Sequence, residues 1–198
     1  MTSDAASTES ELREKSRAHK RLINKALHYL GSYQASRAKL RVILKRFAAR
    51  KIDSDDEEAI AKAIEDVILL MVDYGYVNDE ILAASKTRQA VLSGQSKRQL
   101  TAKLKQMGVD DEVTEKALKA RQTDWHDPEW AAILIAARKK RVGPFGAAVD
   151  FEGQQKQMAK LARAGFSLDL IRKCLAIEDR ETAEKELDEA CSLPHSEN

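Results

Sequence analysis

Residues 36–51 read SRAKLRVILKRFAARK, and residues 96–105 repeat the pattern as SKRQLTAKLK. In both, a serine precedes two leucines by four and eight positions: Ser36, Leu40 and Leu44, then Ser96, Leu100 and Leu104. Serine is a favoured helix N-cap because its hydroxyl accepts a backbone N–H that the first turn leaves unpaired. Leu40, Ile43, Leu44 and Phe47 follow the i, i+3, i+4, i+7 spacing of a helix with one buried stripe. Arg37, Arg41 and Lys45 fall on one flank of that stripe, and Lys39, Arg46 and Arg50 on the other. In the repeated register Lys97 and Lys105 take the places of Arg37 and Lys45.

Outward from these two segments, helical spacing is predicted over about 19–31, 36–50, 55–74, 78–92, 97–107, 111–122, 128–141, 152–164 and 168–177. No run alternates with the two-residue period of a strand. Ser54-Asp55-Asp56-Glu57 reads as a capping box, and Asp127 before Pro128 as a helix start. Gly75, Gly108 and Gly165 follow helical runs, where left-handed caps are expected. Each has an apolar residue four before it and another one after it: Met71 and Tyr76, Leu104 and Val109, Leu161 and Phe166. Gly75-Tyr76 and Gly165-Phe166 therefore read as helix stops with core aromatics, and Asn78-Asp79 as an N-cap. The third copy of the pattern is weaker, with Gln157 at the place of Leu40.

Three units of three helices result, over 19–76, 77–124 and 125–177. A flexible arm, 1–18, precedes them, and an acidic extension, 178–198, follows. That extension holds one further short helix at most, with a loose tail SLPHSEN. A three-helix unit buries little alone, so neighbours must stack. The expected fold is all-α, an elongated, curved array of three tandem three-helix repeats.

Charge is nearly balanced, with 34 Lys and Arg against 32 Asp and Glu, yet it is blocky. Residues 36–51 and 86–106 are basic without acids, Arg138–Arg141 is a run of four bases, and 53–66, 110–115 and 178–189 are acidic. Stacking would line up the basic middle helices into a positive ribbon suited to a polyanion or an acidic protein groove. The candidate contact residues are Arg37, Arg41, Lys45, Lys97, Lys105, Lys139, Lys140 and Arg141.

Several classes are excluded or disfavoured. No apolar run approaches the roughly 20 residues of a membrane span, and the N-terminus has no secretory h-region. Cys174 and Cys191 form no CxxC and read as reduced thiols. His19, His28, His126 and His195 have no zinc spacing. No P-loop, GxSxG or HExxH occurs. The expectation is a cytoplasmic monomer, not an enzyme, with no cofactor, metal or membrane partner. Trp125 and Trp130 read as packing at the second junction, and Gly143-Pro144-Phe145-Gly146 as a loop.

Four boxes in order resemble the RecX family, bacterial regulators of the RecA recombinase. They are Gly75-Tyr76-Val77-Asn78-Asp79-Glu80-Ile81-Leu82-Ala83; Gly94 through Leu100 and Leu104 to Gly108-Val109 and Glu115-Lys116-Ala117-Leu118; Trp130 through Ala136-Ala137-Arg138-Lys139-Lys140; and Leu161-Ala162-Arg163-Ala164-Gly165-Phe166. The likeness covers roughly 20–177. Leu82 stands where the family prefers an aromatic residue, Lys39 where it has an acid, and Ala164 where it has an arginine. The resemblance implies a modulator, mainly negative, that lies in the groove of RecA filaments on single-stranded DNA. It would limit filament growth, ATPase, strand exchange and co-protease activity in DNA repair and the SOS response. DNA is a weaker expected partner. Two rival readings follow from the residues: a direct DNA-binding regulator of helix-turn-helix type, and a helical protein-interaction scaffold whose charge serves solubility.

Overall fold

A computed structural model describes residues 3–52 and 56–192, with side chains from residue 17 onward. The described residues form ten α-helices and no strand. In order these are α1 (Ser3–Leu30), α2 (Arg37–Lys51), α3 (Glu57–Asp73), α4 (Asp79–Ser93), α5 (Lys97–Gln106), α6 (Asp111–Asp124), α7 (Pro128–Lys140), α8 (Phe151–Arg163), α9 (Leu168–Leu175) and α10 (Arg180–Cys191). A short 3-10 turn, Gly143–Phe145, separates α7 from α8. The helices divide into two compact units: the chain up to Leu82 with Met107–Val109, and Ala83–Gln106 with Asp110 onward.

Unit one is built on α1, α2 and α3. Leu22 and Ala26 of α1, Leu40, Leu44 and Ala48 of α2, and Ile64, Val67, Ile68 and Met71 of α3 form its core, closed by Val77. The spacing of Leu40, Leu44 and Ala48 puts one side chain per turn on the inner face, so the bases of α2 are left outside. Ser36 caps α2 by accepting the Lys39 N–H at 3.0 Å. Residues 3–18, expected as an arm, are helical backbone continuous with the rest of α1. No glycine or proline interrupts the chain before Gly31. The expected capping box falls partly on residues 53–55, outside the described residues; α3 is capped by Asp56, whose carboxylate accepts the Ala59 N–H at 2.8 Å.

The three glycine stops are alike in φ, +74° at Gly75, +73° at Gly108 and +85° at Gly165, but not in place. Gly108 and Gly165 close α5 and α8, whereas Gly75 closes α3. A left-handed cap is a local signal that ends any helix and carries no information about which one. The caps also differ by one residue. After Gly165, the Phe166 N–H bonds to Leu161 O and the ring is buried. After Gly75 it is Val77 that bonds back, to Met71 O, and enters the core. The extra residue throws Tyr76 outward, 58% exposed, so Tyr76 is not a core aromatic.

Unit two is organised around α7. Every residue from Trp130 to Ala137 is buried, as a helix apolar on all sides requires. The alanines of α7 keep its girth small, so α8, α9 and α10 can all pack on it. Trp125 and Trp130 belong to this core. The acidic stretch after residue 177 forms the one further helix allowed for it, α10, and belongs to the core: Ala183, Leu187 and Ala190 insert among the residues packed on α7, while most of the tail SLPHSEN lies outside the described residues. Their i, i+4, i+7 spacing is the inner stripe of an amphipathic helix whose acids face water. Gln157, at the register of Leu40, is buried and accepts the Gly143 N–H at 2.9 Å, which fixes the 3-10 turn.

Candidate partner-binding surface

One local joint occurs in both units. In unit one Ser36 Oγ donates to Met107 O, next to Gly108, and the Arg37 N–H donates to Asp79 Oδ1 at 3.0 Å. In unit two Ser96 Oγ donates to Ala164 O at 2.7 Å, next to Gly165, and the Lys97 N–H donates to Glu129 at 3.0 Å. Each serine therefore caps its own helix and grips the carbonyl before the glycine. An acid from the start of α4 or α7 neutralises the positive end of α2 or α5. Asn78 is the N-cap of α4, accepting the Ile81 N–H at 3.0 Å, while Asp79 serves α2 instead. The helix ends are thus occupied from within, and the charge left for a partner resides on side chains.

On α2, Arg37, Arg41 and Lys45 follow one another at one helical turn each. Arg41 is committed to Glu65 of α3: Nε donates to Oε1 at 2.5 Å and Nη2 to Oε2 at 2.7 Å. The hydrogen bonds hold the Glu65 carboxyl below the usual carboxylate range against the desolvation that would raise it, and the charges of Arg41 and Lys45 add to the effect. The same bonds raise the Arg41 guanidinium. Arg37 and Lys45 are exposed and make no ion pair among the described residues.

On α5, Lys97 and Lys105 are exposed at the register of Arg37 and Lys45. Lys97, Arg98, Thr101 and Ala102 line a hollow of about 600 Å³ with Glu129, Gly165, Ser167 and Leu170. At the end of α7, Lys139 is exposed and its Nζ donates to Ser93 O at 3.1 Å. Lys140 is exposed, and Arg141 closes the helix in the left-handed region at φ 53°. The structure thus brings Arg37, Arg41 and Lys45 onto one helix face in unit one. In unit two it places Lys97 and Lys105 on α5, and Lys139, Lys140 and Arg141 at the end of α7.

Sequence reasoning missed the acids that organise these cations. Glu129 and Asp79 look like ordinary first-turn acids, and nothing local says that they cap a different helix. It also missed Arg121, which is buried, with Nη2 donating to Glu129 Oε2 at 2.7 Å. Nor did it foresee Lys173, which lies 4.1 Å from the Trp130 ring centre while the indole N–H donates to Glu186. Among the described residues no cluster of His, Cys, Asp and Glu could hold a metal ion. No helix among them is long and apolar enough to cross a membrane.

Two compact units, each with a serine-capped helix that is apolar inside and basic outside, define an all-helical protein built on a repeated motif. The profile of the RecX third three-helix domain matches residues 127–175, and that of the second three-helix domain residues 78–118. The regulatory protein RecX of Myxococcus xanthus is 36% identical over 159 residues, covering 78% of this chain and 83% of that protein. That of Agrobacterium fabrum is 31% identical over 161 residues, covering 80% and 83%. The crystal structure of RecX from Lactobacillus salivarius shares the fold, with a TM-score of 0.59 at 22% identity over 87% of this chain and 98% of that one. The chain belongs to the RecX family. It is all-helical and built of that family's three-helix repeats, and its relatives are named as regulatory proteins.

Proposed function

We propose that this chain is a cytoplasmic, non-catalytic regulator of the RecA recombinase. It lies in the groove of RecA filaments on single-stranded DNA and limits their growth, ATPase, strand exchange and co-protease activity. Its working surface is the outer faces of α2 and α5 and the end of α7, with Arg37, Lys45, Lys97, Lys105, Lys139, Lys140 and Arg141 as contacts. Arg41 serves mainly to tie α2 to α3. The repeats it uses are 19–76, 77–124 and 125–177. The observation that carries this reading is the recurrence of one register: Leu40 and Leu44, like Leu100 and Leu104, are fully buried, while Arg37 and Lys45, like Lys97 and Lys105, stand in water. Two spaced sets of cations on one chain suit a partner that itself repeats. The second set engages at a high effective concentration once the first is bound, so a filament is favoured over a free protomer.

The test is the single-strand-dependent ATPase of RecA with substoichiometric amounts of this protein. Inhibition is expected, and Lys45→Glu with Lys105→Glu weakens it. An ATPase unaffected at every ratio overturns the reading.

A further inference from the structure

One end of unit one carries aromatic surface that neither its core nor its joint uses. The chain has four tyrosines, and all are near this end: Tyr29 and Tyr33 at and after the last turn of α1, Tyr74 and Tyr76 on either side of Gly75. The bond from the Arg37 N–H to Asp79 holds the α1–α2 turn, with Tyr33, beside the α3–α4 turn, with Tyr74 and Tyr76. Tyr33, Tyr74 and Tyr76 are 62%, 70% and 58% exposed. Tyr33 is already positioned, its ring 5.2 Å from that of Tyr29 with 29° between planes. Nothing lies within 4 Å of where a Cβ on Gly75 would stand, so the backbone between the other two rings is open. At Gly165 the corresponding space is filled by Ser96.

The charge here is close to balanced. Arg37 and Lys39 are exposed bases; Asp73 is an exposed acid, Asp79 is bound to the start of α2, and Glu80 has a partner of its own. Attraction for phosphate is therefore modest, and the distinctive feature is flat, wet rings. Base–aromatic stacking tolerates any sequence because every base has a π-face, and rings held in place lose little freedom on binding.

We infer that the tyrosine end of unit one is a stacking site for unpaired bases of single-stranded nucleic acid. Tyr33, Tyr74 and Tyr76 are the platforms, and Arg37 and Lys39 are the phosphate contacts. The inference goes beyond the regulatory reading and requires nothing of RecA.

The full chain is titrated with a short labelled oligothymidylate and with an abasic phosphodiester strand of the same length, read by fluorescence anisotropy. The oligothymidylate binds more tightly. Tyr74→Ala with Tyr76→Ala weakens it by about 5- to 150-fold for each base that loses its ring, and leaves the abasic strand unchanged. Phenylalanine at the same positions retains binding. Tyr33→Ala, read in the same way, serves as a second variant should the double one unfold by circular dichroism. The log–log salt slope of about −1.4, from two phosphates neutralised by Arg37 and Lys39, is the same for both strands and is kept by the tyrosine variants. Equal affinity for the abasic strand overturns the inference, as does binding indifferent to the alanine variants or no binding at all. So do variants that lose a protein partner while keeping oligothymidylate affinity.

Discussion

Replacing Glu129 by alanine withdraws one carboxylate from two duties, one at the exposed start of α5 and one on a buried arginine. Its oxygens accept the Lys97 N–H, each at 3.0 Å, and Oε2 also accepts Arg121 Nη2 at 2.7 Å. The Arg121 side chain is 3% exposed and that of Glu129 31%. Breaking a buried pair by removing one partner costs about 3–5 kcal/mol, because the other charge stays behind uncompensated. Arg121 Nε and Nη1 have no protein partner among the described residues, so no neighbouring acceptor already shares the load. The partial exposure of Glu129 admits water and favours the low end, about 3 kcal/mol. The lost bond to the Lys97 N–H, at a helix start that Ser96 still caps, adds about 0.5–1.5 kcal/mol. With a urea m-value of about 2 kcal/mol/M, the midpoint falls by roughly 1.5–2.5 M. Both tryptophans lie in unit two and are buried, so their fluorescence reports this unit. Arg121→Met in the Glu129→Ala background removes the orphaned charge and recovers a large part of the loss. A loss below about 1 kcal/mol refutes the reasoning, since it lies under the range for a broken buried pair; so does a double variant no more stable than the single one.

Three further outcomes are expected. Glu65 titrates below its unfolded value, so the Arg41–Glu65 pair stabilises above the ordinary carboxylate pKa and ceases to do so as pH falls through the lowered one. Both side chains are more than a third exposed, so the contribution stays below about 1 kcal/mol, and the gap between wild type and Glu65→Gln in urea melts at neutral pH narrows and then closes as pH falls below the ordinary carboxylate range. Gly165→Ala sets a Cβ 2.7 Å from Ser96 Oγ at φ +85°, whereas Gly75→Ala meets only the left-handed backbone penalty of about 1–2 kcal/mol. Thermal unfolding therefore shows Gly165→Ala as the more damaging of the two, and the reverse order contradicts the joint. Burial pushes the Cys174 thiol up to about 12, with the charge of Glu186 adding to it. It stays protonated and unreactive toward a thiol reagent at neutral pH until unit two opens, and rapid labelling of native protein contradicts its place in the core.

Much of the fold was legible because it is written in short-range signals. Ser36 and Ser96 announce helix starts, and the leucine pairs after them announce inner faces; both need only the 3.6-residue period and the chemistry of a capping hydroxyl. The acidic stretch after residue 177 was legible as one further helix but not as part of the core, because its acids outnumber the three side chains, Ala183, Leu187 and Ala190, that enter it. Two of those are alanines, whose burial depends on a neighbour close enough to need a small residue. The glycine alignment misled for a related reason. Gly75, Gly108 and Gly165 share a backbone conformation, and it took the partner carbonyls to show that one extra residue after Gly75 sends Val77 inward and Tyr76 out. Of the eight candidate cations, sequence reasoning placed the bases of α2 and α5 on their helices. It could not see that Arg41 is held by Glu65, because their 24-residue separation leaves no periodic trace.

From its residues alone, then, the chain is committed to helices, to a serine-started motif used at least twice, and to bases on the flanks of the leucine stripe. These are properties of one turn of backbone and of which side chains water rejects. Which acid caps which helix, which arginine is spoken for, and which tyrosines remain in solvent follow from the approach of segments tens of residues apart. Those contacts depend on the shapes of two faces meeting, which no single stretch of the chain contains.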